Sequence, residues 1–192
     1  MPVELTFSDA AGKRIVAFRS DDTALAAARR PATKPGLNRF VWDMRYPGAA
    51  KIDPALLVRR VKPLAAVPEG QPGPLAVPGR YKVAFKAGET MAAADFTIVK
   101  DPRLTTPLKA HRHQFDLQLE LTQSLSALNA AVNRIRRMRR QLGALDEAAG
   151  EAQADLSTKA KAAAAALLAI EAVLVDVNRE SARDILRNPA GL

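Results

Sequence analysis

Few residues of this chain have the types and spacing that chemistry requires. His111 and His113 are its only histidines. A spacing of two puts them on different faces of a helix, whereas helical metal sites use spacings of three or four. Asp43 and Asp53 are the carboxylates that glycoside cleavage would use, but no pattern brings them together, and Asp43 falls on the wet face of a predicted strand. We therefore predict no catalytic residue, no metal site and no cofactor.

A run of arginines is the strongest local concentration of charge. The chain has a net charge of +9, and such a surplus favours anionic partners. The run contains no aromatic residue, so we interpret it as a solvated helix face rather than a specific nucleic-acid site. The alternative is binding of nucleic acid or another polyanion through this face, with Arg136 and Arg140 aligned as the anion-binding pair. The run comprises Arg134, Arg136, Arg137, Arg139 and Arg140.

An aromatic stretch near residue 40 contains the only tryptophan, Trp42. Aromatic and charged residues alternate at period two, which predicts a half-buried strand. A sugar-stacking platform of Trp42, Tyr46, Tyr81 and Phe85 is the functional alternative, but spacing of this kind is what an inward-facing core requires. The predicted core residues are Phe40, Trp42, Tyr81, Val83, Phe85 and Phe96.

The first half of the chain has the pattern of an antiparallel β-structure. Short alternating segments are separated by glycine and proline turns, and the proline-rich stretch 47–78 is expected to make an irregular excursion. This pattern predicts a small immunoglobulin-like β-sandwich over residues 1–103. The predicted strands lie near residues 2–8, 13–19, 37–45, 79–86 and 90–100.

The second half, 104–192, has a helical pattern with apolar residues at steps of three and four. Helices are predicted at 107–142 and 151–178, paired as a long antiparallel hairpin with coiled-coil-like packing, so the fold class is α+β. Apolar residues off the seam are expected to need a further partner. The predicted seam comprises Leu125, Leu128, Val132 and Ile135 in the first helix and Leu167, Ile170 and Leu174 in the second.

The composition excludes several classes of protein. The chain has no cysteine, so it offers no disulfide, zinc–thiolate or cysteine-nucleophile chemistry. Its first residues lack the basic-then-apolar pattern of a signal peptide. Because no apolar run approaches the roughly 18 residues that a membrane helix needs, no membrane span is expected.

Several motifs resemble those of a known family. The segments Leu5-Thr-Phe-Ser-Asp-Ala-Ala-Gly-Lys13, Gly36-Leu-Asn-Arg-Phe-Val-Trp-Asp43 and Pro78-Gly-Arg-Tyr-Lys-Val83 are similar to the immunoglobulin-like domain of flagellar hook-capping proteins. With Met44 to Pro47, Gly73 to Gly79, Lys100 to Arg103 and Gln114 to Leu117 added, the chain looks like the C-terminal region of large bacterial sortilin-like proteins with BNR (Asp-box) repeats. Those proteins are often named as glycosyl hydrolases.

The resemblance implies an accessory role. In that family the repeats build an N-terminal β-propeller, and any glycosidase site would lie on the propeller, which this sequence does not contain. The expected function is therefore that of a non-catalytic interaction module in a secreted or periplasmic protein. Its expected partner is the propeller or a second copy of the chain. Relatives usually continue into further helices, so the helical part is expected to be incomplete after residue 192.

Overall fold

The computed structural model describes residues 1–56, 72–149 and 153–175. It contains four strands and two long helices, which confirms the predicted α+β class. The elements, in chain order, are β1 (Val3–Asp9), β2 (Arg14–Arg19), β3 (Gly79–Ala87), β4 (Thr90–Ile98), α1 (Leu108–Ala149) and α2 (Ala154–Leu174), with short 3₁₀ turns at Ala27–Arg29 and Pro54–Leu56.

The described residues form two compact units. Within the described part of the chain, the sheet unit comprises residues 1–48 and 72–122, and the helical unit comprises residues 49–56, 123–149 and 153–175. The division falls inside α1, whereas the predicted domain boundary lies between residues 103 and 104. Thus the first turns of α1 belong with the strands, and the start of the proline-rich excursion belongs with the helices.

The framework of the sheet unit is a four-stranded antiparallel sheet in the order β2-β1-β3-β4. Between β1 and β2, the Asp9 carboxylate accepts hydrogen bonds from the backbone N–H groups of Ala11 and Lys13, at 3.0 and 2.9 Å. Between β3 and β4, Gly88 has a φ of 59°, a conformation that favours glycine. Pairing of β1 with β3 makes these two the inner strands and leaves β2 and β4 as the edges.

The two faces of this sheet differ in polarity. The register pairs Phe7 with Val16 and Val83, and pairs Tyr81 with Phe96, so these apolar side chains share one face. The opposite face is polar, because the alternate positions of the same strands include Glu4, Ser8, Lys82, Lys86 and Asp95.

The predicted strand at 37–45 is wrong, because no strand forms there. The Asp43 carboxylate accepts a hydrogen bond from the backbone N–H of Arg45, and the Trp42 indole N–H donates to the Arg45 carbonyl, both at 3.2 Å. Side-chain bonds of this kind compete with sheet pairing. Met44 also has a φ of 56°, which interrupts an extended backbone. Where a second sheet was predicted, the described residues show an irregular cover with one antiparallel bridge between Arg45 and Leu75.

Phe7, which the sequence analysis left out of the core, is the centre of the aromatic cluster. Its ring centroid lies 4.5 Å from that of Trp42 and 6.0 to 6.2 Å from those of Phe18, Phe40 and Phe96. Phe7 is 7% exposed, because an inner strand has neighbours on both sides and the aromatic cover above it. Of the predicted core, Tyr81 is buried, whereas Phe40, Trp42, Val83, Phe85 and Phe96 are only half-buried.

In the helical unit, α1 continues past its predicted end. Gly143 was expected to help break the helix after residue 142, yet α1 extends to Ala149. A glycine inside a helix costs about 1 kcal/mol. Burial of Ala149 and hydrogen bonding of Asp146 to Ser157, at 2.6 Å, favour the extra turns. The second helix covers most of the predicted range 151–178, whose residues 151–152 and 176–178 lie outside the described part.

The seam between the helices follows a register different from the predicted one. On α1, Val132 and Ile135 are buried and Leu128 is half-buried as expected, but Leu125 is 39% exposed. On α2, Ile170 is 52% exposed and its neighbour Glu171 is buried. Residue type alone does not reveal this offset, because Ala163 and Ala164 would fit the seam equally well. The buried and half-buried positions of α2 are Leu156, Ser157, Ala160, Ala164, Leu167, Glu171 and Leu174.

Candidate functional site

A buried charge cluster joins the two helices of the helical unit. The Glu171 carboxylate, 2% exposed, accepts a hydrogen bond from Arg136 Nε at 2.6 Å and another from Arg139 Nη1 at 2.8 Å. Arg136 Nη1 and Arg139 Nε are also enclosed, and neither has a hydrogen-bond partner among the described residues. Two cations and one anion leave a net positive charge in a poorly hydrated place, so the pairing with Glu171 is needed to keep both arginines inside.

Because of this cluster, the five arginines of the run do not share one environment. The Arg136 side chain is only 12% exposed and is engaged by Glu171, while Arg140 is exposed and donates a hydrogen bond to the Ala55 carbonyl. The predicted anion-binding pair therefore does not form one open cationic face. Arg134 and Arg137 are exposed, and neither has an ion pair or a side-chain hydrogen bond within the described residues.

Two asparagines of α1 clamp an extended segment of the same unit. The Asn133 amide donates to the Lys51 carbonyl at 2.9 Å and accepts from the Asp53 N–H at 2.8 Å. One turn earlier, Asn129 donates to the Ala50 carbonyl at 2.7 Å. An amide that bonds both a C=O and an N–H replaces the pairing that a neighbouring strand would provide. Residues 50–53 thus have part of their backbone satisfied by a helix.

The sheet unit contains a cleft of about 400 Å³. One wall is the first part of α1, where His111, Gln114 and Gln118 follow one another at helical spacing. Met44, whose φ is 56°, also lines the cleft, and unusual backbone conformations of this kind recur at ligand sites. The rest of the lining is largely apolar and includes Leu75, Ala76, Val77, Pro78, Ile98, Val99, Leu104 and Phe115.

The polar groups of this cleft could hold a ligand by hydrogen bonding. His111 Nε2 is enclosed and has no hydrogen-bond partner among the described residues. Asp101 is the one carboxylate in the described lining, and hydrogen bonds from Arg103 lower its pKa. A glycosidase would need a second carboxyl beside it. The lining combines apolar side chains with several polar ones, a mixture typical of small-molecule sites.

The remaining candidate residues have local structural roles. Asp43 is exposed and pairs with Arg29 at 3.3 Å, a contact of small energetic weight. Asp53 accepts a hydrogen bond from the N–H of Ala55 at 2.8 Å and so caps the short 3₁₀ turn Pro54–Leu56. His113 is exposed. No group of histidines and carboxylates among the residues described by the structure could hold a metal ion.

Sequence reasoning missed Glu171 and the two asparagines, although a signal for each was present. Arg139 occupies an apolar step of the α1 seam, and a buried arginine requires an acidic partner on the opposing helix. Asn129 and Asn133 lie inside a long helix, where asparagine is unfavourable unless its amide has a specific partner.

Comparison with known proteins gave no match: no family model, no curated protein and no solved structure is significantly similar to this chain. Separately, among the helices described, none has the length and apolar character needed to cross a membrane.

Proposed function

We propose that this chain is a non-catalytic interaction module of a larger secreted or periplasmic protein, of the sortilin-like BNR-repeat type that its motifs resemble. In this proposal a sandwich-like β unit and an antiparallel helical hairpin present surfaces to the rest of the parent protein. The pairing of Asp146 with Ser157 and of Arg136 with Glu171 supports the antiparallel direction, because the α2 numbers fall as the α1 numbers rise.

The observation that carries the proposal is an apolar surface on α2. Ile170 and Val173 are 52% and 86% exposed, and residues three apart lie side by side on a helix. The exposed alanines Ala162, Ala166 and Ala169 lie on the same side. We call these five residues the α2 outer patch. Covering a large aliphatic side chain contributes about 1.5 to 3 kcal/mol, so a partner surface that buries both would bind favourably.

Binding to the parent protein tests this function. The chain and the upstream part of its parent, produced as separate polypeptides, should form a complex in isothermal titration calorimetry. Replacing Ile170 and Val173 with serine should weaken the complex about tenfold or more, since two apolar contacts are lost. The matched control is Ala172→Ser, which alters an exposed residue of α2 outside the patch.

Four results would count against this proposal. Absence of a complex would remove the accessory role, and a complex indifferent to the Ile170 and Val173 changes would move the role to another surface. Hydrolysis of aryl-glycosides by the chain alone would restore the enzymatic interpretation. Tight binding of duplex DNA at physiological salt, lost on replacing Arg134 and Arg137, would favour the polyanion alternative.

A further inference from the structure

The two edges of the sheet are protected to different degrees. β2 has six residues, pairs with β1 through a shifted register, and carries Arg14 and Arg19 at its ends. β4 has nine residues, keeps an unbroken register with β3, and has Asp95 as its one charged residue. Short length, irregular pairing and charge are the usual means by which proteins block edge-to-edge association. β2 has all three, whereas β4 has almost none.

The backbone of β4 has unused pairing groups along its outer side. β3 and β4 are joined by a two-residue loop closed by Ala87 and Thr90, and such a closing pair is hydrogen-bonded. Backbone groups alternate in direction along a strand, so the N–H and C=O groups of every second residue, starting at Met91, point away from β3. These belong to Met91, Ala93, Asp95 and Thr97, and no strand in the described part of the chain pairs with them.

Bonds at the other side of the sheet agree with this alternation. In this pattern, Thr90 and every second residue of β4 bond to β3. When the alternation is followed across β3 and β1, the backbone N–H and C=O groups of Val3 and Asp9 point toward β2. The Val3 carbonyl does accept a hydrogen bond from the Ser20 N–H at 2.9 Å. The Asp9 N–H donates to the Lys13 carbonyl at 3.0 Å.

We propose that β4 pairs antiparallel with β4 of a second copy of this chain, around a two-fold axis at Ala94, the middle residue of the strand. This register places Met91 opposite the partner's Thr97 and Ala93 opposite the partner's Asp95. Each pair joins positions on the same face of the sheet, so polar side meets polar side. About eight backbone hydrogen bonds would join the two copies into one continuous sheet.

The side chains favour a second copy as the occupant. Met91 is 74% exposed on the polar face, and the two-fold register sets it directly opposite the partner's Thr97. On the other face, Ala92 lies opposite the partner's Phe96, a small residue against a ring. Asp95 faces the partner's Ala93 and already has Lys82 across the β3 pair, so no like charges are directly opposed.

A charge series at Ala93 tests the register. Sedimentation velocity of the full chain, from low micromolar to millimolar concentration, should show a reversible dimer. Ala93→Glu sets a like charge against the partner's Asp95 twice per dimer and should weaken association about tenfold, whereas Ala93→Lys creates two attractive pairs and should strengthen it. The matched controls are Ala17→Glu and Ala17→Lys, which occupy the same row of the polar face at the β2 edge and should change nothing.

Two further measurements keep the inference falsifiable. Amide exchange at Met91, Ala93, Asp95 and Thr97 should slow as concentration rises, and Ala93→Pro, which removes an outward N–H, should abolish the dimer while circular dichroism shows a folded chain. A monomer at every concentration, or a dimer that responds equally to both charges at Ala93, overturns the proposal. Serine at Ile170 and Val173 should leave self-association unchanged, so failure here and failure of the proposed function are separate results.

Discussion

The sheet unit and the helical unit are held together by different interactions. In the sheet unit, Phe7 is surrounded by four aromatic rings at 4.5 to 6.2 Å, so nondirectional burial dominates. In the helical unit, the described core contains small residues such as Ala149 and Ala160 together with the ion-paired Glu171. Alanine seams bring helices close but specify their register poorly, whereas a buried carboxylate between two arginines accepts few alternatives.

This difference predicts how each unit responds to mutation. The aromatic unit should lose stability in proportion to the volume and contacts removed, because a cavity remains. The helical unit should be most sensitive where one charge loses its partner, and it should tolerate replacement of the whole cluster. In Arc repressor, for example, apolar residues can replace a buried ion triad without loss of stability.

Phe7→Ala should have the largest effect, about 3 to 5 kcal/mol in the free energy of unfolding. The ring of Trp42 loses the stacked partner at 4.5 Å, so its fluorescence should shift toward that of a hydrated indole. Urea denaturation followed by Trp42 emission measures both effects. The neighbouring exposed Val41, changed to alanine, is the control and should alter stability by at most about 0.5 kcal/mol. A greater cost for Trp42→Ala than for Phe7→Ala, with both variants followed by circular dichroism, would place the centre of the core elsewhere.

Glu171→Ala should cost about 3 kcal/mol, because Arg136 and Arg139 are left inside without a counter-charge. Replacing all three residues together, with methionine at both arginines and leucine at Glu171, should recover most of that loss. Thermal unfolding by circular dichroism compares the variants, and Glu147→Ala, an exposed acidic position of α1, is the control. If the triple variant is as unstable as Glu171→Ala, the three side chains stabilise the fold by more than neutralising one another's charge.

Replacement of Tyr46 should have the smallest effect on the free energy of unfolding at neutral pH. Burial, with smaller contributions from Tyr81 and Asp9, raises the pKa of Tyr46 from 10.0 to about 12. Because the folded pKa lies above the unfolded one, the stabilisation is present below pH 10 and is lost as the pH rises toward 12. Tyrosinate absorbance should report late ionisation, and Tyr46→Phe should flatten the loss of stability in this range. Ionisation of Tyr46 at its ordinary value in the folded protein would contradict the packing of its ring against Phe115, at 4.8 Å.

The alternating pattern identified four of the five proposed strands because their turns are encoded locally. Asp9 and Gly88 supply the turn chemistry, and the flanking residues alternate at period two. The fifth predicted strand, 37–45, does not form. The alternation at Phe40 and Trp42 is equally compatible with an irregular segment that packs on the face of a sheet and with a strand that pairs within the sheet. Alternation shows which side chains face the core, but it does not show whether the backbone pairs.

The candidate sites were less accessible to sequence reasoning. Spacing alone predicts no helical metal site at the two histidines, and it places Arg139 at an apolar step of the α1 seam. It did not show that Glu171 would pair with that arginine, because the acidic residue lies 32 positions away in sequence. The cleft near His111 was equally hidden, since its walls come from segments that are distant along the chain.

The sequence by itself determined the α+β class, the approximate positions of four strands and two helices, and which face of each of these strands is apolar, because these depend on neighbours within a few residues. Only the tertiary structure decided that Phe7 rather than Trp42 is central, that Glu171 rather than Ile170 enters the helical seam, and that β4 is an open edge. Each of these depends on which distant segment lies against a residue. Several partners of similar hydrophobicity compete for that place, and steric fit and charge pairing choose among them.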